Sequence, residues 1–218
     1  MSDLVDPNDF VITRKRKKYK FAKFHNAENC FELSEWTKQP VDIIEVGAGS
    51  ALFSVELAAR YPDKTVVALD VKADRLQQGA HAALERGIQN VQFVRARADQ
   101  ITEICQSRSV AQIWVTFPDP YPKARSAARR LSHSSFLAKY REILQPSGSL
   151  CLKHDNPEFF CWSLEQLVGD KWYLAELSFD LHDSSLSDVY KILTTYELRW
   201  LDEGRKTCFV RACARELT

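Results

Sequence analysis

Short apolar runs alternate with stretches of helical periodicity from residue 41 onward, and this alternation constrains the fold more than any other feature. Residues 41–46 are typical of a buried strand, a glycine-containing turn follows, and residues 51–60 carry apolar side chains at helical spacing. The pattern then predicts strands at 65–70, 91–94, 112–117 and 149–153, and helices at 73–86, 99–107, 134–144 and 157–168. Strands alternating with helices form a parallel sheet with right-handed crossovers. We therefore predict an α/β fold with a doubly wound, mostly parallel sheet.

The C-terminal part of the chain departs from this alternation. Residues 172–181 and 207–215 are typical of two more strands, whereas residues 186–203 between them do not alternate. We expect these strands to form an antiparallel, hairpin-like end, because antiparallel strands need no helical crossover. The prediction is a sheet of about seven strands in a single domain over residues 41–218, preceded by a basic and aromatic N-terminal arm over residues 1–40.

Composition limits the kind of partner. The chain has 218 residues, 45% of them hydrophobic, which is enough to bury the core of one large α/β domain. Its net charge is only +1, so affinity for nucleic acid would have to come from clustered cations. Six cysteines are scattered without a CxxC pair, and the five histidines do not lie near them at ligand spacing. We therefore predict no metal site.

The N-terminus is polar and acidic, without the apolar segment of a signal peptide. The sequence also has no run approaching the roughly 18 apolar residues that a membrane span needs. We expect a cytoplasmic protein with reduced thiols and no membrane partner.

A basic segment lies near the N-terminus, where residues 14–20 carry six cations in seven positions. Two interpretations stay open: a solvated tail, or an arm that pairs with phosphates and gains affinity by releasing counterions. The aromatic residues Phe21, Phe24 and Phe31 follow closely. They favour an arm that docks on the body of the protein.

The first predicted strand ends in a pattern suited to a cofactor. Gly47 and Gly49 allow the backbone to approach a ligand closely, and Asp70 ends the second strand 21 residues after Gly49. A dinucleotide fingerprint GxGxxG is absent, because its sixth position is Leu52. The carboxylate of Glu45 just before the glycines would repel a pyrophosphate but suit a cation. The pattern favours S-adenosylmethionine over NAD, the alternative being a turn that serves only strand–helix packing.

The stretch from Thr116 to Arg130 follows the fourth strand. Its three prolines, at 118, 120 and 122, can continue neither a helix nor a sheet ladder, so they fix Asp119 in a stiff turn. Four cations without an intervening acid come next: Lys123, Arg125, Arg129 and Arg130. This stretch is either a surface turn with a solvated basic helix or a site that places a carboxylate beside a cationic segment.

Taken together, these motifs resemble the bacterial tRNA (guanine-N7)-methyltransferase family, which acts at position 46 in the variable loop of tRNA. The resemblance covers about residues 41–215. It is carried by Ile44–Gly49, Phe117–Lys123, Arg129–Leu131, Leu152–Asn156 and Thr194–Glu197. It implies a Rossmann-like class I methyltransferase fold, S-adenosylmethionine as cofactor and tRNA as partner. No obligate protein partner is expected, and the protein would be a monomer or a homodimer.

The resemblance also implies roles for individual residues. Asp119 is the catalytic residue implied. The cofactor-binding residues implied are Glu45, Gly47, Gly49, Asp70, Arg97 and Asp119. The substrate-binding residues implied are Lys123, Asp155, Thr194, Tyr196 and Glu197, and the RNA-contacting residues are Arg125, Arg129 and Arg130. Either Asp155 or Glu197 would accept hydrogen bonds from guanine N1 and N2.

The chain departs from the family pattern at several positions. Ala51 replaces a third glycine that is frequent after the turn, and Ser50 replaces a lysine. Arg97 stands where an acid or amide commonly meets the adenine, which leaves open whether the backbone of Arg97 and Ala98 takes that role. Tyr121 replaces tryptophan and either stacks on the base or packs the turn. Thr195 replaces glutamate.

Three rival functions make different demands on the sequence. An exocyclic-amine methyltransferase uses Asp/Asn-Pro-Pro-aromatic, but Tyr121 and Pro122 stand here in the reverse order. A small-molecule methyltransferase does not need the acid-free basic stretch from residue 123 to residue 141. A catalytically silent RNA-binding subunit does not need Glu45, Asp70 and Asp119. The methyltransferase acting on guanine N7 of tRNA is therefore the preferred prediction.

Overall fold

The computed structural model describes residues 4–12 and 14–214, and the side chains of all of these except residues 15 and 199. The strands are β1 (Cys30–Glu32), β2 (Ile43–Val46), β3 (Val66–Asp70), β4 (Val91–Arg95), β5 (Val110–Thr116), β6 (Leu144–His154), β7 (Trp172–Ser178) and β8 (Cys208–Ala214). The α-helices are α1 (Lys15–His25), α2 (Leu52–Arg60), α3 (Ala73–Glu85), α4 (Ile101–Ile104), α5 (Ser134–Ile143), α6 (Pro157–Gly169) and α7 (Thr195–Leu201). Short 3₁₀ helices cover Pro7–Asp9, Leu33–Glu35, Ala98–Gln100 and Ala124–Arg129. None of the helices in the described part is long and apolar enough to cross a membrane.

All described strands lie in one eight-stranded sheet with the order β1-β4-β3-β2-β5-β6-β8-β7. The pairs from β1 to β6 are parallel, and β8 runs antiparallel to both of its neighbours. The prediction of a doubly wound, mostly parallel sheet with an antiparallel C-terminal strand is confirmed. Because the chain order reverses between β2 and β5, the crevice at their carboxyl ends is the expected ligand position.

The strand sequences explain why the sheet is central. Every residue of β2 is buried, as are the first four residues of β3, which fits the near-continuous apolar runs of parallel strands covered on both faces. One core cluster includes apolar side chains of α1, α2 and α3. The other includes those of α4, α5 and α6. The molecule is therefore a three-layer α/β/α arrangement.

The segment before residue 41 belongs to this same packing unit. β1 pairs with β4 through Cys30 and Phe93, and Phe24 of α1 is fully buried in the core beneath α3. The predicted boundary at residue 40 therefore does not separate two units, and β1 raises the number of strands to eight. A three-residue strand is too short to show a periodic pattern, which explains why the sequence did not predict it.

A helix occupies part of the stretch that we expected to join two strands of a hairpin. The Thr194 hydroxyl accepts a hydrogen bond from the backbone N–H of Glu197 at 3.2 Å, and the Glu197 carboxylate accepts one from the Thr194 N–H at 2.8 Å. This reciprocal capping box starts α7. The Thr-x-x-Glu spacing in the sequence is typical of a helix N-terminus and indicates this helix.

Candidate active site

A cleft of about 1040 Å³ opens at the carboxyl ends of β2, β3, β4 and β5. This is the point where the strand order reverses, as predicted for an open α/β sheet. Among the residues singled out from the sequence, the cleft is lined by Glu45, Gly47, Gly49, Asp70, Arg97, Asp119, Arg129, Thr194 and Tyr196. Tertiary folding thus brings residues from five separate stretches of the chain to one site.

Glu45 forms the floor of the cleft and is almost fully buried. Its carboxylate accepts hydrogen bonds from the Ser54 hydroxyl at 2.5 Å and from the Thr116 hydroxyl at 2.6 Å. Burial raises the pKa of Glu45 to about 7, while the two hydroxyl donors act to lower it and the nearby Asp70 charge acts to raise it. The carboxylate is therefore fixed in orientation and responsive to charge in the cleft.

The glycine turn lies above this floor. Gly47 and Gly49 have φ angles of +77° and +56°, which glycine adopts without steric cost. A Cβ atom on Gly47 would lie 3.2 Å from Leu131 Cδ1. The Asp70 carboxylate accepts hydrogen bonds from the Gly49 N–H and the Lys72 N–H, each at 2.8 Å. Asp70 therefore ties the turn to the end of β3.

Close packing against α3 continues past the turn. A Cβ atom on Gly79 would lie 2.7 Å from Phe93 Cε1 and 2.8 Å from the Ser50 carbonyl oxygen. Ala51, where a third glycine is frequent in the family, has φ of +56° and is buried. A left-handed backbone costs an alanine roughly 1–2 kcal/mol, so the chain retains a strained residue at the start of α2.

The proline-rich turn carries Asp119 to the rim of the cleft. Phe117 and Tyr121 have φ angles of +48° and +39°, a conformation that costs a non-glycine residue on the order of 1–3 kcal/mol. The Pro118 carbonyl accepts a hydrogen bond from His154 Nε2 at 3.0 Å, and the Tyr121 carbonyl accepts one from an Arg130 Nη atom at 3.0 Å. In the described part of the chain, the Asp119 carboxylate has no hydrogen-bond partner.

The start of α7 forms another wall of the cleft and contacts the glycine turn directly. The Thr195 hydroxyl lies 3.3 Å from the Ser50 hydroxyl. Arg75 of α3 lines the cleft and donates a hydrogen bond to the Tyr196 hydroxyl at 3.0 Å. Sequence reasoning missed Arg75 and Ser54. A polar serine on the apolar face of α2 and an arginine five residues after Asp70 were the available signals.

Glu197 is fully buried and lies outside the lining of the cleft. It pairs with the buried ammonium of Lys153 and accepts further hydrogen bonds from His182 at 3.1 Å and Thr207 at 3.4 Å. Burial acts to raise the pKa of Glu197, but its donors and the Lys153 charge lower it below its usual value. The expected contact between this carboxylate and the substrate therefore does not fit the structure, because both of its oxygens are engaged inside the protein.

Two other predicted roles change for similar reasons. Asp155 pairs with Arg205 at 3.3 Å and lies beside the cleft rather than in its lining. Arg130 is only 9% exposed, and its guanidinium lies 4.2 Å from the centroid of the Trp162 ring. Arg130 is thus poorly placed for the RNA contact that its neighbour Arg129 can make. Arg129 is exposed and lies over the Tyr121 ring at 4.4 Å from its centroid.

The remaining predicted residues lie at the surface. Lys123 and Arg125 are exposed on the segment that follows the turn. The Arg97 side chain points to solvent and pairs with Asp99 at 2.6 Å. The backbone N–H of Arg97 donates to Gln100 at 3.1 Å, so the peptide is already engaged within the loop after β4. Ala98 and Asp99 line the cleft beside it.

The fold resembles solved structures of methyltransferases. A 16S rRNA methyltransferase, KamB, superposes with a TM-score of 0.60 at 16% identity, covering 84% of this chain and 90% of that one. A 16S rRNA (adenine(1408)-N(1))-methyltransferase from Catenulisporales acidiphilia, solved with its cosubstrate SAM, gives 0.57 at 16% identity, with 97% and 92% covered. The sequence model of a family described as a putative methyltransferase matches residues 39–210. The fold and the cleft therefore define an α/β methyltransferase.

Curated relatives narrow this class. A protein of Brevibacillus brevis is 34% identical over 169 residues, 78% of each chain. Another, from Staphylococcus carnosus, is 35% identical over 176 residues, 80% of this chain and 82% of the relative. A third, from Christiangramia forsetii, is 32% identical over 84% of this chain and 86% of the relative. All three are named tRNA (guanine-N(7)-)-methyltransferase, and this chain belongs to that family.

Proposed function

We propose that this protein transfers the methyl group of S-adenosylmethionine to N7 of guanine 46 in the variable loop of tRNA. The observation that carries the proposal is the cleft itself, which combines four carboxylates, those of Glu45, Asp70, Asp99 and Asp119, with an exposed cationic rim at Arg129. The names of the relatives supply the substrate class. Position 46 comes from the resemblance of the motifs.

The acceptor groups of the cleft fit S-adenosylmethionine. This cosubstrate carries a cationic sulfonium, an ammonium group and ribose hydroxyls, but no phosphate, and it supplies an electrophilic methyl group. Glu45 places a carboxylate beneath the turn, where it favours a cation and opposes a pyrophosphate. Asp70 is held by two backbone N–H groups, and its remaining lone pairs can accept hydrogen bonds from ribose hydroxyls.

Asp119 is the residue of the cleft that acts on the reacting base. Guanine N7 has a lone pair and no proton, so its attack needs no general base. The ring becomes cationic as the bond forms, and a carboxylate beside it stabilises that charge. Asp119 is exposed to the cleft and is not neutralised by a cation in the described part of the chain. Holding donor and acceptor in line contributes the rest of the rate enhancement.

Substrate RNA is expected to contact two groups of cations. In the first, the exposed Lys123, Arg125 and Arg129 follow the Asp119 turn. A second cationic region is a basic hollow of about 340 Å³, lined by Arg14, Arg16, Lys17 and Lys20 of the N-terminal segment together with Asp74 of α3. Asp74 and the cleft residue Arg75 both belong to the first turn of α3, so one helix contributes to both cavities. Phosphate contacts here would help offset the cost of drawing the base out of the folded tRNA.

Methylation of an unmodified tRNA transcript tests the proposal, with the product mapped by cleavage at N7-methylguanine. We expect cleavage at position 46 only, and none in a matched transcript carrying adenine there. Methylation at another base, or at an exocyclic amine, would overturn the assignment. Asp119→Asn keeps the shape of the side chain and should lower kcat by about 10²-fold, while calorimetry shows that S-adenosylmethionine still binds.

A further inference from the structure

Two buried donors hold the ends of the turn that presents Asp119. His154 Nε2 lies 3.0 Å from the Pro118 carbonyl oxygen, and an Arg130 Nη atom lies 3.0 Å from the Tyr121 carbonyl oxygen. The two donors come from different elements, the end of β6 and the segment before α5. Asp119 therefore lies between two fixed carbonyl groups.

The hydrogen bonds of His154 determine its tautomer. The backbone N–H of Asn156 donates to His154 Nδ1 at 2.8 Å, so this nitrogen is an acceptor. The ring proton is then on Nε2, which donates to the Pro118 carbonyl. His154 is buried against Phe159, with ring centroids 4.4 Å apart, and burial lowers its pKa, with the Pro118 carbonyl and Asp155 acting in the opposite direction. The neutral ring is thus the form that holds the turn.

Arg130 is held in an equally defined position. Its guanidinium packs on the Trp162 ring of α6, and its buried Nε has no hydrogen-bond partner among the described residues. The contact with the Tyr121 carbonyl is the hydrogen bond that gives the side chain its direction. An arginine aligned in this way acts on the turn rather than on the RNA.

The turn needs such support. Phe117 and Tyr121 both adopt positive φ angles, and residues in this region persist where the surrounding structure over-determines them. Asp119 has no hydrogen bond of its own to fix it in the described part of the chain. We propose that His154 and Arg130 are positioning residues that clamp the Pro118–Tyr121 turn and thereby set the Asp119 carboxylate in the cleft. The link to catalysis rests on the proposed function, whereas the clamp does not.

Two amide substitutions of His154, one to glutamine and one to asparagine, test its two hydrogen bonds separately. Glutamine reaches as far as Nε2 and can still donate to the Pro118 carbonyl, whereas asparagine reaches only as far as Nδ1 and can serve only the Asn156 N–H. We expect His154→Gln to keep kcat within about threefold and His154→Asn to lower it at least tenfold, because misplacing a catalytic group by about 1 Å costs up to roughly 10²-fold. The opposite ranking would overturn the clamp.

Arg130→Met keeps the aliphatic stem and removes the donor. We expect kcat to fall about tenfold while the KM for tRNA changes less than twofold. In an Asp119→Asn background, the same substitution should have no further effect on kcat, because the group that it positions is absent. Arg60→Met, at the exposed end of α2 remote from the cleft, is the matched control and should behave as the parent protein. A raised KM for tRNA with unchanged kcat would show that Arg130 contacts the RNA and does not position the turn.

Hydrogen–deuterium exchange tests the clamp without any activity. The amides of Phe117 and Ser126 flank the turn and donate to the carbonyl oxygens of Lys153 and Lys123 at 2.9 and 2.8 Å. They should exchange at least tenfold faster in His154→Asn and Arg130→Met, with peptides of β2 and β3 unchanged. Faster exchange in an enzyme that does not methylate tRNA would reject the proposed function and keep the clamp. Normal exchange in both variants would reject the clamp, whatever the activity. Global unfolding is checked by the melting temperature, which we expect to stay within a few degrees of the parent value.

Discussion

The ammonium of Lys153 lies 2.8 Å from Glu197 Oε2, and neither side chain is exposed to solvent. This ion pair joins the end of β6 to the first turn of α7 across 44 residues of sequence. Lys153 also donates to the carbonyl oxygen of Ile192 at 2.9 Å. The pair therefore fixes the N-terminus of α7 against the sheet. Thr194 and Tyr196, at this end of the helix, line the cleft.

Breaking this pair from one side should be costly. Lys153→Met leaves a buried carboxylate without its counterion and should lower the free energy of unfolding by roughly 3–5 kcal/mol. Adding Glu197→Gln should cost clearly less than the sum of the single losses, because the second change removes the uncompensated charge. Urea unfolding at pH 7 measures both. Strict additivity would show that the two groups are not coupled.

A surface pair provides the comparison. Arg86 and Glu56 form an ion pair whose side chains are each 43% exposed. Because water screens such a pair, Arg86→Met should lower the free energy of unfolding by less than about 1 kcal/mol. A loss equal to that of Lys153→Met would mean that burial does not decide the effect.

The raised pKa of Glu45 leads us to expect that cofactor binding depends on pH. Burial raises its pKa from the ordinary value of 4.5 to about 7. Because the folded-state pKa is the higher one, the folded protein favours the protonated form, and stability declines as pH rises from about 4.5 towards 7. A cationic ligand needs the ionised form. At pH 6 only about a tenth of Glu45 would be ionised, so S-adenosylmethionine should bind up to roughly tenfold more weakly at pH 6 than at pH 8.

Titration calorimetry at the two pH values checks this dependence, with Glu45→Gln as the control. The amide should bind S-adenosylmethionine more weakly than the parent protein at pH 8, because it carries no charge. It should also show no change in affinity between pH 6 and pH 8. If the affinity of Glu45→Gln for S-adenosylmethionine still changed with pH, the titrating group would be another residue.

Gly79 predicts a steric effect on the glycine turn. A methyl group there would lie 2.8 Å from the Ser50 carbonyl oxygen, which is backbone and cannot move aside alone. Alanine in place of glycine stabilises a helix by up to about 1 kcal/mol, but overpacking destabilises the folded protein by typically 1–3 kcal/mol. Gly79→Ala should therefore lower the melting temperature and weaken S-adenosylmethionine binding. Gly169→Ala in α6, where a methyl group meets open space, should be neutral or stabilising.

The exposed arginines after the turn predict salt-dependent binding of tRNA. Arg125 and Arg129 are both exposed, so each can contact a phosphate. The double variant Arg125→Met/Arg129→Met should raise the Kd for tRNA and reduce the slope of log Kd against log salt by about two. Filter binding from 50 to 200 mM salt measures the slope, with Arg60→Met as control. An unchanged slope would exclude phosphate contacts at these residues.

Local patterns in the sequence were sufficient for the main architecture. The buried runs at β2, β3 and β5 predicted the parallel sheet, and Glu45, the glycine turn and Asp70 predicted where the cleft lies, since each signal is complete within a few residues. α1, β1 and α7 were not predicted. β1 is stabilised by pairing with β4, which is distant in sequence, whereas the start of α7 is marked locally by the Thr194–Glu197 capping box.

The sequence by itself determined the fold class, the position of the cleft and membership of the methyltransferase family, because alternating strands, glycine turns and short motifs are local features. Only the tertiary structure decided what each charged side chain does. Arg129 and Arg130 are neighbours in one motif, yet one is exposed and the other packs on Trp162. Glu197 is turned inward to Lys153, while Asp119 faces the cleft. The physical reason is that burial and pairing depend on elements distant in sequence, which no local pattern encodes.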